Sequence, residues 1–218
     1  MSIFNLPASR PAVVLMCGLP TSGKTTTAAR LHDHVGGTLI HSFHIYEAMG
    51  IVVADWVERT RGFTVEVEEY DRLRDAAYVE MARQVGNALD DGTPLVIVDF
   101  AFPDSSKRRA LYDICLSHGA HPVVLRCRCD DSAEVRRRFA ARRGRESEGE
   151  HEASDLSVLH DIQRRWQDPV DDLIPGGTRP SIVECDTFAG TVSCIQSAAP
   201  PLVELLRAAL EAIVASAG

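Results

Sequence analysis

Ala12-Val13-Val14-Leu15-Met16-Cys17, followed by Gly18-Leu19-Pro20-Thr21-Ser22-Gly23-Lys24-Thr25, is the stretch that decides the fold. The second part fills every fixed position of G-x-x-x-x-G-K-[ST], and the first is a continuous apolar run of the kind a buried parallel strand requires. Thr26 to Val35 continues at helical spacing. A glycine-rich turn between a strand and a helix N-terminus aims backbone N–H groups at an anion, so Gly18, Pro20, Thr21, Ser22, Gly23, Lys24, Thr25 and Thr26 are the expected contacts of a polyphosphate. Lys24 adds a mobile charge toward the β- and γ-phosphates, and the Thr25 hydroxyl is the expected ligand of a Mg²⁺ ion. A nucleoside triphosphate is the expected ligand.

Working outward, four further apolar runs separate helical stretches: Gly37 to His41, Pro94 to Asp99, His121 to Cys127 and Ser181 to Cys185. Near-continuous apolar strands alternating with helices predict a parallel sheet covered on both faces, an α/β architecture. A helix is expected from Glu66 to Leu89, carried by Tyr70, Leu73, Ala77, Met81, Val85 and Leu89. Past Pro200-Pro201, an apolar stripe from Leu202 to Val214 predicts a closing C-terminal helix over about 201–216. No repeat or linker divides the chain, which is expected to form a single domain over residues 1–218.

Composition narrows the partners. With 31 acidic against 23 basic residues the formal charge is −8, which disfavours polynucleotides and acidic membrane surfaces. No leader precedes the first strand and no apolar run approaches the ~20 residues that span a bilayer, so a cytoplasmic protein, monomer or homodimer, is expected. The six cysteines lack a zinc-ligand spacing; Cys17, Cys115, Cys127, Cys129 and Cys185 are expected to pack as small apolar residues.

Three features bear on chemistry beyond the loop. Asp99 ends the strand Val96-Ile97-Val98 on the sheet edge where open parallel sheets bind ligands, and is expected to orient Mg²⁺ or a reacting hydroxyl. Between strands four and five, about residues 131–168, lie helices at Ser132–Arg143 and about Ser154–Gln167. They flank Gly144 to Ala153, which has no large apolar residue; the pattern predicts a helical lid, with a solvated surface loop as the plain alternative. The lid opens at Asp131-x-x-Glu134 and carries Arg136, Arg137, Arg138, Arg142 and Arg143. Arg138 and Arg142, four apart, share a helix face and are the expected neutralisers of a migrating phosphoryl group, against a solvated basic face as the alternative.

Taken together, Gly18 to Thr25, Val96 to Asp99, Lys107-Arg108-Arg109, Val123 to Cys127 and Glu134-x-x-x-Arg138-x-x-x-Arg142 resemble the P-loop kinases that include chloramphenicol phosphotransferase, zeta toxins and the kinase domain of polynucleotide kinase, over about Ala12 to Thr187. The resemblance implies a three-layer P-loop NTPase fold with a five-stranded parallel sheet in the order 2-3-1-4-5. It also implies ATP as donor (GTP remaining open), Mg²⁺, and transfer of the γ-phosphoryl group to a hydroxyl. Asp186-Thr187 resembles the family's stretch near the adenine base, a simple turn being the alternative. The chain departs from the family after its second strand, where His41-Ser42-Phe43-His44-Ile45-Tyr46-Glu47 replaces the usual Asp-bearing segment. His44 is the candidate base there, with Glu47, Asp55 and Asp99 as further candidates.

The acceptor site is expected from Tyr46, Asp55, Trp56 and Arg59, with Phe100, Phe102 and Asp104 after strand three. The aromatic residues suit a ring-bearing antibiotic, nucleoside or sugar-like acceptor, or else belong to the core. A polynucleotide or tRNA-end kinase, and an ATP-binding switch that transfers nothing, are the competing functions.

Overall fold

The computed structural model describes residues 10–50, 65–143 and 162–216, with backbone only for residues 65–71 and 142–143. Its strands are β1 (Ala12–Cys17), β2 (Thr38–His41), β3 (Leu95–Asp99), β4 (His121–Arg128), β5 (Ser181–Asp186) and β6 (Thr191–Gln196). The helices are α1 (Lys24–Val35), α2 (Ser42–Ala48), α3 (Val65–Asp90), α4 (Ser105–Ser117), α5 (Ser132–Arg143) and α6 (Pro200–Ala215). A short 3₁₀ turn at Pro169–Asp171 leads toward β5.

One sheet runs β2-β3-β1-β4-β5-β6. The first five strands pair in parallel in the expected 2-3-1-4-5 order. The expected strand count of five is corrected to six: β6 folds back antiparallel on β5, from Asp186↔Thr191 to Ile182↔Gln196. Its Thr-Val-Ser-Cys-Ile-Gln sequence alternates and is mostly exposed, as an edge strand does, so it lacks the apolar continuity that marks the buried strands.

The buried strands are apolar throughout because both faces are covered. In β1, Val13, Leu15 and Cys17 point into one core with residues of α2, α3 and α4, such as Ile45, Met81 and Leu111. Ala12, Val14 and Met16 point into the other, formed with α1 and α6 residues such as Leu31, Leu206 and Leu210. Alternation thus survives as a choice of core rather than of core against water. Burial pushes the Cys17 and Cys115 thiols up to about 12, consistent with packing roles. Cys194, on β6, is exposed. No helix among the described residues is long and apolar enough to cross a membrane.

A buried ion pair fastens the approach to β5 onto the sheet. Arg108, inside α4 and fully buried, donates from Nε and Nη2 to the two oxygens of Asp172 at 2.6 and 2.8 Å, and from Nη1 to the Phe102 carbonyl at 2.9 Å. The Tyr112 hydroxyl donates to Asp172 at 2.7 Å, and burial followed by that bond raises its pKa. Such a pair offsets its desolvation only when both partners are fully engaged, as here. Asp172→Ala leaves the Arg108 charge buried and alone, and is expected to cost about 3–5 kcal/mol in urea unfolding. Arg108→Met combined with Asp172→Leu should recover most of that loss.

Candidate active site

The loop after β1 is forced into shape by its neighbours. Gly18 has φ +148°, and a Cβ there would sit 2.4 Å from the Cys127 carbonyl oxygen of β4, so only glycine fits. Thr21 (φ +64°) and Gly23 (φ +87°) also take the left-handed region, and Gly23 delivers the chain into α1. Left-handed residues interspersed along such a loop are the backbone pattern of an anion cradle, although the Ser22 N–H is here turned back on the Leu19 carbonyl at 3.2 Å. No side chain caps the α1 N-terminus and its first turn holds no acid, so those donors keep their capacity for an external anion. Lys24 Nζ donates to the carbonyls of Gly18 (2.8 Å) and Leu19 (2.9 Å), folded over the loop. Thr25 and Thr26 are exposed, Pro20 and Ser22 buried, and the Ser22 Oγ makes no hydrogen bond.

Asp99 ends β3, 3% exposed, beside the exit of β1. His41 approaches it with Nε2 3.2 Å from Oδ2, yet Oδ2 has no well-aligned hydrogen bond. Buried polar atoms without partners are rare and call for a reason. Two of them, Ser22 Oγ and Asp99 Oδ2, flank the loop, and this donor and acceptor set fits a Mg²⁺-bound polyphosphate.

On the opposite side, α5 is latched to the loop. Arg138 donates from Nε to Glu134 (2.7 Å), from Nη1 to the Thr21 carbonyl (3.0 Å) and Thr187 Oγ1 (2.8 Å), and from Nη2 to the Thr187 carbonyl (3.2 Å). Thr187 Oγ1 shares its own proton between the Ser22 (2.9 Å) and Arg128 (3.1 Å) carbonyls, and it lies 2.9 Å from where a Cβ on Gly23 would be. Thr187 therefore joins the loop, β4 and α5. Asp186 caps the turn to β6 through the Phe188 and Ala189 N–H groups. Arg137 also bonds Glu134, whereas Arg136 makes no ion pair among the described residues. Asp131 accepts from the Glu134 N–H at 2.7 Å, which confirms the expected start of α5.

The other expected site residues divide. Tyr46, Phe100 and Phe102 are buried and pack on one another and on Tyr78, whose hydroxyl donates to the Ala101 carbonyl; they stand in the core rather than on an open acceptor wall. Asp104 caps α4. Burial pushes its carboxyl up, but hydrogen bonds from Ser106 and the Lys107 N–H and the charges of Lys107 and Arg108 more than offset this, leaving it below its ordinary value. His44 is exposed on α2 with its ring 5.5 Å from that of His41. Asp55, Trp56, Arg59 and residues 144–161 of the expected lid lie outside the described residues, as does the side chain of Arg142.

A cavity of about 750 Å³ opens between Gly18, Leu19 and Pro20, the end of β4, the Ser132–Arg136 face of α5 and Trp166. Two of its arginines are already neutralised, Arg126 by Asp168 and Glu184 and Arg128 by Asp130 and Glu184, whereas Arg136 on its wall has no ion pair among the described residues. Trp166 and Asp168 escape notice in sequence because nothing in their spacing marks them. Arg126 and Arg128 break the apolar pattern of β4, which is a usable signal.

The strand order, the loop after β1 and the helix following β4 define a P-loop protein of the kinase fold. Residues 13–169 match the model of an AAA domain family, AAA_33, and the chain belongs to that family. Among solved structures it resembles a kinase assignment from Chloroflexus aurantiacus at TM-score 0.59 and 17% identity, covering 96% of this chain and 97% of that one. It also resembles a sugar kinase from Janibacter sp. HTCC2649 at TM-score 0.50 and 16% identity, covering 95% and 97%. These likenesses are of fold. A signal recognition particle protein of Synechococcus elongatus is 37% identical over 99 residues, 43% of this chain, and the chain spans 20% of that relative's length.

Thr187→Val keeps the shape and removes the shared hydroxyl; it is expected to cost about 1–3 kcal/mol and to speed hydrogen exchange of the Ser22 and Gly23 amides. The latch also has a pH signature. Hydrogen bonds from Arg137, then Arg138, hold the Glu134 carboxyl down at about 2 against an ordinary 4.5. Its contribution is therefore complete above pH 4.5 and lost as pH falls toward 2. Glu134→Gln should flatten the stability curve in that window; an unchanged slope in acid unfolding would show that the bond does not form in solution.

Proposed function

We propose that this chain is an ATP-dependent phosphotransferase that moves the γ-phosphoryl group to a hydroxyl of a small molecule. The observation that carries the reading is the pair of buried, unsatisfied polar atoms, Ser22 Oγ and Asp99 Oδ2, beside a helix N-terminus that no side chain caps. Mg·ATP, when bound, supplies the electrophilic phosphoryl group. Lys24 leaves the Gly18 and Leu19 carbonyls for phosphate oxygens, and Thr25 places its hydroxyl on the metal. Asp99 orients the metal's shell or takes the proton of the acceptor hydroxyl; His44, Glu47 and Asp55 are the alternatives for the proton. Arg138 holds the lid helix against the loop, Arg138 and Arg142 are the residues proposed to neutralise the migrating group, and Asp186-Thr187 bounds the nucleotide's other end.

Arg126 and Arg128 on the 750 Å³ cavity are paired with carboxylates, which leaves Arg136 as its one arginine without an ion pair among the described residues and supports an acceptor that is uncharged or cationic over a polyanionic one. Trp166 supports a ring-bearing acceptor. Sugars, nucleosides and antibiotics are the classes to try, and the formal charge of −8 speaks against a polynucleotide.

A ³¹P NMR screen of those acceptors with Mg·ATP is expected to give a new phosphate ester. Lys24→Ala should lower the rate at least about a hundredfold. A screen in which only anionic acceptors consume ATP would remove the acceptor class. ATP binding with no product from any class would make the chain a nucleotide switch.

A further inference from the structure

His41 is the last residue of β2 and the N-cap of α2, and its two ring nitrogens face different partners. Nδ1 accepts a hydrogen bond from the Phe43 backbone N–H at 3.0 Å, closing the first turn of α2. A ring nitrogen that accepts carries no proton, so the neutral imidazole bears its single N–H on Nε2. That nitrogen lies 3.2 Å from Asp99 Oδ2. The approach is set by backbone pairing, since the parallel β2–β3 ladder places His41 directly beside Asp99. The carboxylate is 3% exposed, the ring 24%. Oδ2 has no well-aligned hydrogen bond, so the 3.2 Å approach is an electrostatic one that leaves the oxygen's lone pairs unused.

We propose that His41 is a positioning residue for Asp99: the α2 cap fixes its tautomer, and the resulting Nε2–H edge, close to Oδ2 without a hydrogen bond to it, draws the carboxylate electrostatically toward the orientation that serves the phosphate loop. What Asp99 then does rests on the phosphotransferase reading; the contact itself does not. The arrangement also gives the altered segment after β2 a purpose. In place of a carboxylate of its own, the strand end supplies a donor that aims the carboxylate of the next strand. His44, exposed one residue into the first turn beyond Phe43, leans on the His41 ring from outside, with centroids 5.5 Å apart.

Two substitutions separate this role from helix capping. Asparagine is a good N-cap but is too short to reach Asp99, whereas glutamine carries an N–H toward the place of Nε2 and caps poorly. In the full chain, His41→Asn is expected to keep the thermal midpoint and the KM for ATP. It should lower kcat for Mg·ATP turnover, with an acceptor or with water, by about tenfold. His41→Gln should restore most of kcat despite a lower midpoint. The reverse ranking, Asn silent and Gln impaired, would make His41 a cap and nothing more. A readout independent of turnover is the long-range ¹H–¹⁵N spectrum of ¹⁵N-histidine-labelled protein, with residue 41 assigned by its loss in His41→Asn. An Nε2–H tautomer is expected, and an Nδ1–H tautomer overturns the proposal. If wild type turns over no phosphate at all, the phosphotransferase reading fails while the tautomer still decides the contact with Asp99.

Discussion

The carbonyl oxygen of Cys127 occupies the space that a Cβ at residue 18 would need, 2.4 Å from its ideal position. This approach is a consequence of the sheet. β1 and β4 pair through Cys17↔Arg126, so a chain leaving β1 must pass over the end of β4 before it can enter α1. Thr187 closes the space on the far side, 2.9 Å from a Cβ at Gly23. The loop is thus squeezed between two fixed walls, and its positive φ values at Gly18, Thr21 and Gly23 are imposed rather than adopted on binding. Left-handed backbone at a residue such as Thr21 costs of order 1–3 kcal/mol and persists only where surrounding structure over-determines it. Full burial of β1 supplies that determination, and a cradle built in advance needs no reorganisation when charge arrives.

Such a cradle matters more here because most of the nearby arginines, Arg136 excepted, are committed elsewhere. Arg108 answers Asp172, Arg126 answers Asp168 and Glu184, Arg128 answers Asp130 and Glu184, and Arg138 answers Glu134 and two backbone carbonyls. In a chain of net charge −8, an anion can therefore draw little on standing side-chain charge. Backbone dipoles at the α1 N-terminus, and Lys24, whose Nζ rests on the Gly18 and Leu19 carbonyls, carry the attraction. The same commitments make α5 part of the wall: Arg138 reaches the loop in this structure, so the helix stands over the site through a bond that closure need not create.

Much of this was visible in sequence, for physical reasons that also mark its limits. The five parallel strands announce themselves because two cores require every residue of β1 and β3 to be apolar up to Asp99. The strand β6 does not, since an exposed antiparallel edge tolerates Thr-Val-Ser-Cys-Ile-Gln, a pattern that a surface loop also shows. The seven-residue α2 is too short to establish a period. Spacing put Glu134 and Arg138 on one helix face but carried no information about Thr187, which meets Arg138 from 49 positions away and is reached only through the family resemblance. For the aromatics, hydrophobicity alone could not separate a ligand wall from a core, and Phe102, fully buried, belongs to the core.

The segment after β2 shows the limit most sharply. A search for a carboxylate leads to His44, because a titratable side chain at the right depth in the chain is all that sequence offers. Position in the ladder decides otherwise: a residue at the end of one parallel strand necessarily faces the end of its neighbour, and His41 meets Asp99 there while His44 turns outward with α2. The neutral imidazole has one proton to place, and the backbone of Phe43 determines where it goes. A helix start, a strand register and a tautomer thus combine to fix one carboxylate, and removing any one of them would leave Asp99 buried but unaimed.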